Sequence, residues 1–390
     1  MSETIPLGEV LEIRKGKKAA KLSDWKIDGT LPYIQIDEVR GRVPSKYAID
    51  SNAVEVTEKD LCIVWDGANA GIVGYGVAGV IGSTVARMRL REPDCWETPF
   101  LGRLLEGKFR QLNDQALARG ATIPHVDKIK LEAVNIPRIG RDKQRRIAAI
   151  LDKADAIRRK REQALALADN FLKSAFVHLS GYKNTEYSNW EPRAIESLAE
   201  ARKGSMRTGP FGSALRHTEF VDRGIAVLGI DNAVKNRFTW GERRFITQKK
   251  YSELSRYRVF PGDVIITIMG TTGRSAVVPD DIPKAITTKH LAAITCNRKL
   301  VLPEFLSYAI HSDPLIVRQI KQANKGAIMD GLNLGIIRKL KLNVPPLAIQ
   351  QDFVKLLNLN QGSCERAATD IGSGQYLFAS LSQRAFRGEL

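Results

Sequence analysis

A chain of 390 residues has room for two or three domains, and a hydrophobic content of 43% is enough to build real cores. Lys and Arg number 60 against 43 Asp and Glu, a formal net charge of +17 that calls for a polyanionic partner. No apolar run is long enough for a membrane span, the opening Met-Ser-Glu-Thr-Ile-Pro lacks a signal region, and the four cysteines are scattered. These features favour nucleic acid over membrane and a reduced, intracellular chain without structural zinc or disulfides.

In chain order, the first segment opens with Ile5-Pro-Leu-Gly-Glu-Val-Leu-Glu-Ile13 and the basic turn Arg14-Lys15-Gly16. Short β-branched runs such as Leu61–Val64 predict strands, and Phe100–Leu117 predicts a helix. Pro137 then breaks the backbone before a long helix over Asp142–Leu179, which contains no Gly or Pro. Along it Ile147, Ile150, Ala154, Ile157, Ala164, Ala168, Phe171 and Ala175 recur in steps of three and four, the narrow seam of a coiled coil. Such a helix is roughly 55–60 Å long, a length suited to a spacer.

The second half repeats the first. Trp190-Glu-Pro-Arg-Ala-Ile-Glu-Ser-Leu198 leads to Arg202-Lys203-Gly204, as the opening led to Gly16. Ile34-Gln-Ile-Asp37 answers Leu228-Gly-Ile-Asp231, and Asp60-Leu-Cys-Ile-Val-Trp65 answers Asp263-Val-Ile-Ile-Thr-Ile268. Arg119-Gly120-Ala121 answers Lys325-Gly326-Ala327. After Pro345-Pro346 the seam returns at Val354, Leu357, Cys364, Ala368, Ile371 and Phe378, with a constant offset of 207 between 147 and 354, 150 and 357, and 171 and 378. The expected fold class is α+β, with two similar mixed α/β domains separated by two long antiparallel coiled-coil helices in an internal pseudo-twofold repeat. The expected boundaries are 1–140 for the first domain, 141–181 for the central helix, 182–346 for the second domain and 347–390 for the C-terminal helix.

Few residues suggest catalysis. Asp94, Glu106 and Lys108 formally match a metal-dependent nuclease motif, but Glu106 and Lys108 fall in a predicted helix where such a site needs a strand. Gly270-Thr-Thr-Gly-Arg-Ser275 lacks the spacing of a phosphate loop and reads instead as a turn offering Thr271, Thr272 and Arg274 to DNA. The five His form no metal spacing, and no methyltransferase motif or cofactor fingerprint is present. No catalytic or metal residue is therefore assigned. The remaining candidate DNA contacts are the basic residues Arg14, Lys15, Lys17, Lys18, Arg119, Arg202, Lys203, Arg207, Lys289 and Lys325, which suit phosphates and guanine edges.

The chain resembles specificity subunits of type I restriction–modification systems. The resemblance rests on Thr208-Gly-Pro-Phe-Gly-Ser-Ala-Leu215, Gly326-Ala-Ile-Met-Asp-Gly-Leu-Asn333, Val344-Pro-Pro-Leu-Ala-Ile-Gln-Gln351 and Ala385-Phe-Arg-Gly-Glu-Leu390, set in the two-repeat plan. The first linker, Ile136-Pro-Arg-Ile-Gly-Arg-Asp-Lys-Gln144, departs from the family's Pro-Leu-x-x-Glu element, and Gly16-Lys-Lys-Ala departs from Thr-Gly-Pro-Phe-Gly. The resemblance implies two target-recognition domains that read the halves of a bipartite double-stranded DNA target, with the helices as a ruler. It implies a non-catalytic subunit that scaffolds two modification (methyltransferase) subunits and ATP-dependent restriction subunits. S-adenosylmethionine, ATP and Mg2+ would belong to those partners, in the prokaryotic cytoplasm at the nucleoid. The alternatives are a specificity subunit of another bipartite, type IIB-like system and a stand-alone metal-dependent nuclease.

Overall fold

The computed structural model describes residues 3–49, 53–117, 125–180, 190–324 and 331–386, with the side chains of 110–117, 364–379, 382, 385 and 386 outside that description. The chain divides into two units, Met1–Gln163 with Ala367–Leu390, and Ala164–Arg366.

In the first unit the elements run β1 (Thr4–Pro6), α1 (Leu7–Val10), β2 (Leu11–Lys15), β3 (Leu22–Ser23), β4 (Leu31–Ile34), α2 (Ile36–Val39), β5 (Tyr47–Ala48) and β6 (Val54–Val56). They continue with β7 (Leu61–Val64), β8 (Val73–Tyr75), β9 (Gly79–Ile81), β10 (Val85–Leu90), α3 (Thr98–Leu117), α4 (Lys128–Glu132) and β11 (Asn135–Pro137). One antiparallel sheet has the order β2-β10-β7-β8, and a second has the order β3-β5-β4-β9-β6 with β4 and β9 parallel. Strand β7 is buried on both faces, which is why it reads as a continuous apolar run rather than an alternation. Leu61 and Ile63 meet Phe100, Leu101 and Leu104 of α3, while Cys62 and Val64 join Ile34, Val54 and Ile81 of the second sheet.

The second unit repeats this order. After α5 (Arg141–Leu179) come β12 (Pro192–Ala194), α6 (Ile195–Leu198), β13 (Met206–Thr208), β14 (Ile225–Leu228), β15 (Phe245–Ile246), α7 (Gln248–Leu254) and β16 (Arg258–Val259). Then follow β17 (Val264–Thr267), β18 (Ser275–Val277), β19 (Ala285–Thr287), β20 (Leu291–Ile294), α8 (Pro303–Ser312), α9 (Pro314–Ala323), α10 (Leu334–Lys339), β21 (Lys341–Asn343) and α11 (Leu347–Phe386). The sheets are β13-β20-β17-β18 and β15-β14-β19-β16, with β14 and β19 parallel, and β12 pairs β21 as β1 pairs β11. Among the described residues, every strand pairing of the first unit has its counterpart except that of its short edge strand β3.

One expected equivalence moves. The counterpart of Gly16 is Gly209, not Gly204: each follows the sheet-edge strand, and a Cβ at either would collide with backbone carbonyls, of Ile81 and Gly82 or of Thr287 and Thr288.

The long helices bury the expected seam only in part, at Ile147 and Leu357, and otherwise bury neighbouring positions. In the first unit Ile147, Ala148 and Leu151 enter the domain core, with Leu381 of α11 packed against the same cluster. In the second unit Leu172 and Phe176 pack with Phe353 and Leu357, and the Asn360 amide donates to the Ala168 carbonyl at 3.1 Å. Within the first unit early α5 thus meets late α11, and within the second unit late α5 meets early α11. Ile150, Ile157 and Phe171, expected in the seam, are 37%, 46% and 59% exposed. Ala154 and Val354 are half-buried, and the side chains of Ile371 and Phe378 lie outside the described residues. At Ile150 and Phe171 the buried neighbours Leu151 and Leu172 stand one place further on, about 100° around the helix.

The buried side also carries a charge. Asp155 is 1% exposed and is held by Arg158 at 2.7 Å, Arg159 at 2.8 Å and Arg103 of α3 at 3.1 Å.

Candidate nucleic-acid interface

Each unit gathers loops at the carboxyl ends of its parallel strand pair. In the second unit, Gly209-Pro-Phe-Gly follows β13, Gly229-Ile-Asp follows β14 and Thr288-Lys-His follows β19. Gly209 is needed for the close backbone approach, and Gly212 takes a φ of +61° that favours glycine. Phe211 is left half-exposed by this turn, and Lys289 is exposed. The three loops enclose a crevice of about 480 Å³. Asp231 at its wall accepts from Arg244 Nη1 and Nη2 at 3.1 and 3.2 Å, and Arg244 also pairs with Glu242 at 3.0 Å.

The nearby turn between β17 and β18 is built on Gly270 and Gly273, both with φ of +78°. The Thr267 hydroxyl braces it by donating to the Thr271 carbonyl and accepting from the Arg274 amide at 2.9 Å. Thr271 and Arg274 are exposed and Thr272 is half-buried. On another edge Arg202 is exposed, pairs with Glu200 and lies 5.5 Å above the Phe260 ring, with Lys203 exposed beside it.

Arg207 departs from the expected set. It is 8% exposed, its Nη2 donates to the buried Asp263, and its other nitrogens reach the Arg258 carbonyl at 2.7 Å and the Gly204 carbonyl and Thr295 hydroxyl at 3.1 Å. Its guanidinium is spent inside the domain rather than turned to DNA. The matching acid of the first unit, Asp60, is served by Arg89 instead, through two hydrogen bonds of 2.7 Å. Burial works to raise the Asp60 pKa, and the Arg89 guanidinium with the Thr57 amide and hydroxyl outweigh it, leaving the pKa below the ordinary value of 3.8.

In the first unit Arg14, Lys15, Lys17 and Lys18 are all exposed, and Lys15 pairs with Asp66 at 2.7 Å. Arg119 and Lys325 lie outside the described residues. The Ile-Asp repeat is visible in the sequence at Asp37 and Asp231 but carries no role there. In the structure both follow the first parallel strand, and Asp37 accepts from Arg42 at 3.3 Å.

Glu106 and Lys108 sit on α3, with Glu106 drawn to Arg103 at 2.7 Å in the Asp155 network. Among the described residues no group of three His, Cys, Asp or Glu side chains is placed to hold a metal ion, and no helix is long and apolar enough to cross a membrane.

A strongly basic chain whose two units repeat one strand order and one set of loop positions defines a duplicated DNA reader. Residues 2–167 and 187–359 each match the family model described as the type I restriction modification DNA specificity domain. The chain belongs to that family, and its function is DNA sequence specificity. It is 24% identical over 373 residues to the type I restriction enzyme MjaVIII specificity subunit of Methanocaldococcus jannaschii, covering 91% of this chain and 85% of that one. It is 21% identical over 402 residues to the type I restriction enzyme EcoBI specificity subunit of Escherichia coli, covering 96% and 82%. The crystal structure of the type I restriction-modification S subunit from M. genitalium shares the fold, with a TM-score of 0.60 at 15% identity over 99% of this chain and 96% of that one.

Proposed function

We propose that the chain reads a bipartite duplex target, one half with each unit, as the non-catalytic subunit of an assembly with modification and restriction subunits. The observation that carries this reading is the matching strand order of the two units, which sets loops at the same positions but fills them with different residues. Two copies of one reader with different loop chemistry suit a target of two unlike halves. The relatives named as type I specificity subunits support the same assembly. In it the modification subunits use S-adenosylmethionine, the restriction subunits use ATP and Mg2+, and the complex works on DNA in the prokaryotic cytoplasm.

The test is a domain exchange. Replacing residues 185–345 with the matching domain of a relative, in the chain assembled with its modification subunits, is expected to change one half of the methylated sequence and keep the other. A change in both halves would contradict the modular reading. The isolated chain is expected neither to methylate nor to cut DNA; metal-dependent cleavage lost on Glu106→Ala would establish the nuclease reading instead.

A further inference from the structure

We propose that the crevice at the carboxyl ends of β14 and β19 is the base-reading pocket of the second unit, and that Asp231, Thr288 and His290 select a base edge bearing an amino group, adenine N6 or cytosine N4. This rests on the reading that each unit recognises one half of the target.

The first argument is position. In open sheets ligands bind in crevices beyond the carboxyl ends of parallel strands, where the loops diverge. The β14–β19 pair is the parallel pair of this unit, and the crevice is formed by the loops that follow both strands.

The second argument is unspent hydrogen-bonding capacity. Asp231 Oδ2, Thr288 Oγ1 and His290 Nδ1 are buried atoms without a hydrogen-bond partner, and all three residues line this one crevice. Thr287 Oγ1, one residue earlier, is a fourth. Buried polar atoms are ordinarily paired, so a cluster of unpaired ones at a crevice wall marks where a partner's polar groups belong. Gly241 lies against Asp231 Oδ2, where any side chain would collide with the carboxylate.

The third argument is the sign of the missing partner. Asp231 is fixed through Oδ1 by Arg244, so its free oxygen only accepts. Burial first, then the charges of Lys289 and Arg244, push the His290 pKa down, so at neutral pH the ring is neutral and one of its nitrogens accepts. The Thr288 hydroxyl adapts to either role. Arg244, which could otherwise read a guanine, is already engaged by Asp231 and Glu242. Asp231 Oδ2 is the fixed acceptor of the wall and needs a donor, with Thr288 and His290 able to take either role beside it. Among major-groove edges only the amino groups of adenine and cytosine donate. Lys289, exposed at the rim, suits the neighbouring phosphate.

The corresponding loops of the first unit carry Asp37 again but Gly82, Ser83 and Thr84 in place of Thr288, Lys289 and His290. The aspartate is shared and its companions are not, so the corresponding loops of the two units offer different chemistry to DNA.

Selection from a randomised duplex library by the full-length chain with its modification subunits tests this directly. The unaltered chain is expected to enrich a two-part motif. Asp231→Asn, which keeps the side chain's shape, and the pair Thr288→Val with His290→Ala should each relax preference at one or two adjacent positions of one half by about 10-fold or more, with the other half unchanged. Lys289→Ala should weaken binding to all duplexes alike and lower the slope of log K against log salt by about 0.9. A complete motif at unchanged stringency in both pocket variants would overturn the proposal, as would equal loss in both halves. Enrichment of no two-part motif by the unaltered chain would overturn the bipartite reading itself.

Discussion

Gln144 and Gln350 make the same three hydrogen bonds in the two units. The Gln144 carbonyl accepts from the Glu97 amide at 2.9 Å, and its Nε2 donates to the Cys95 and Ile139 carbonyls, both at 2.9 Å. The Gln350 carbonyl accepts from the Leu302 amide at 2.8 Å, and its Nε2 donates to the Leu300 carbonyl at 3.0 Å and the Pro345 carbonyl at 2.7 Å. Both are fully buried. Each ties the first turn of a long helix to the linker before it and to the residues just ahead of α3 or α8. The start of each helix is thereby tied to its own domain by one side chain.

Gln350→Ala is therefore expected to cost more than a surface change. Its loss leaves the Leu302 amide and two carbonyls unpaired in the interior, about 2–4 kcal/mol in all. Gln144→Ala should behave alike. Urea unfolding of the two variants measures this, and a shift under about 0.5 kcal/mol, typical of a surface substitution, would show that water replaces the glutamine.

The helix faces make a second prediction. Phe176 is buried among Phe305, Tyr308 and Phe353, with ring centroids 5.1–5.2 Å away. Phe176→Ala should cost about 3–5 kcal/mol by the usual cavity penalty. Phe171→Ala, five positions earlier and mostly exposed, should cost under about 1 kcal/mol. Thermal melts of the pair distinguish the observed face from the one read off the sequence; equal losses would restore the predicted seam.

The duplication was legible because it depends on order along the chain, and Asp60 with Asp263, or Gln144 with Gln350, recur in that order. The first linker's departure from the Pro-Leu-x-x-Glu pattern had marked it as different, yet Gln144 makes the same bonds as Gln350. The seam was less legible because Leu151, Leu172 and Phe176, apolar as well, stand just beside it on α5. Periodicity finds both, and only the tertiary partners, Phe305 and Phe353 among them, choose between them. Arg207 misled for a related reason. Its place beside a basic turn suggested DNA, but a buried aspartate at the start of β17 needs a guanidinium, and no local pattern shows which strand supplies it. The crevice was invisible for a third reason, since its wall joins residues from loops nearly 60 positions apart.

Acid should destabilise the first unit through Asp60 and Asp155. Burial raises the Asp155 pKa, but Arg158, with Arg103 and Arg159, more than offsets this, and it too lies below 3.8. A carboxyl with a folded pKa below its unfolded one stabilises at higher pH and loses that contribution as pH falls through the folded pKa. The two groups should contribute fully above about pH 5 and progressively less below pH 3.8. The double variant Asp60→Asn with Asp155→Asn is expected to be less stable at pH 6 and to show a shallower decline on acidification. A decline as steep as that of the unaltered chain would assign acid sensitivity to other carboxyls.

The basic residues should separate by burial. Replacing the exposed Lys17, Lys18 and Lys203 by Ala should weaken binding to any duplex and lower the salt slope by about 0.9 for each phosphate no longer neutralised. Arg207→Ala should act on folding instead, because it leaves Asp263 charged and unpaired in the core at about 3–5 kcal/mol. Titrations at several salt concentrations, beside melting curves, read both effects. A stable Arg207→Ala chain with weakened DNA binding would return Arg207 to the interface.

The last prediction concerns the helices as a ruler. Leu172 and Phe176 of α5 pack with Phe353 and Leu357 in one unit, and Ile147 and Leu151 pack with Leu381 in the other. Four residues added to α5 alone would throw one of these packings out of register with α11. A matched insertion, four residues after Ala164 and four after Arg366, keeps both. It lengthens each helix by about 6 Å and adds a turn of about 40° beyond a full rotation. As a stutter, it is absorbed by local unwinding of the pair. If the helices set the gap between the half-sites, the target gap should lengthen by about two base pairs at about 3.4 Å each. Non-specific, salt-sensitive binding should persist, since phosphate contacts do not depend on the separation of the readers. Replacing Leu151 and Phe176 with Asp should instead unfold the packing of both helices, because the new carboxylates would be buried without partners. Methylation mapping of the doubly inserted chain, assembled with its modification subunits, decides the question. An active assembly that keeps the original half-sites at their original spacing would show that α5 and α11 do not measure DNA.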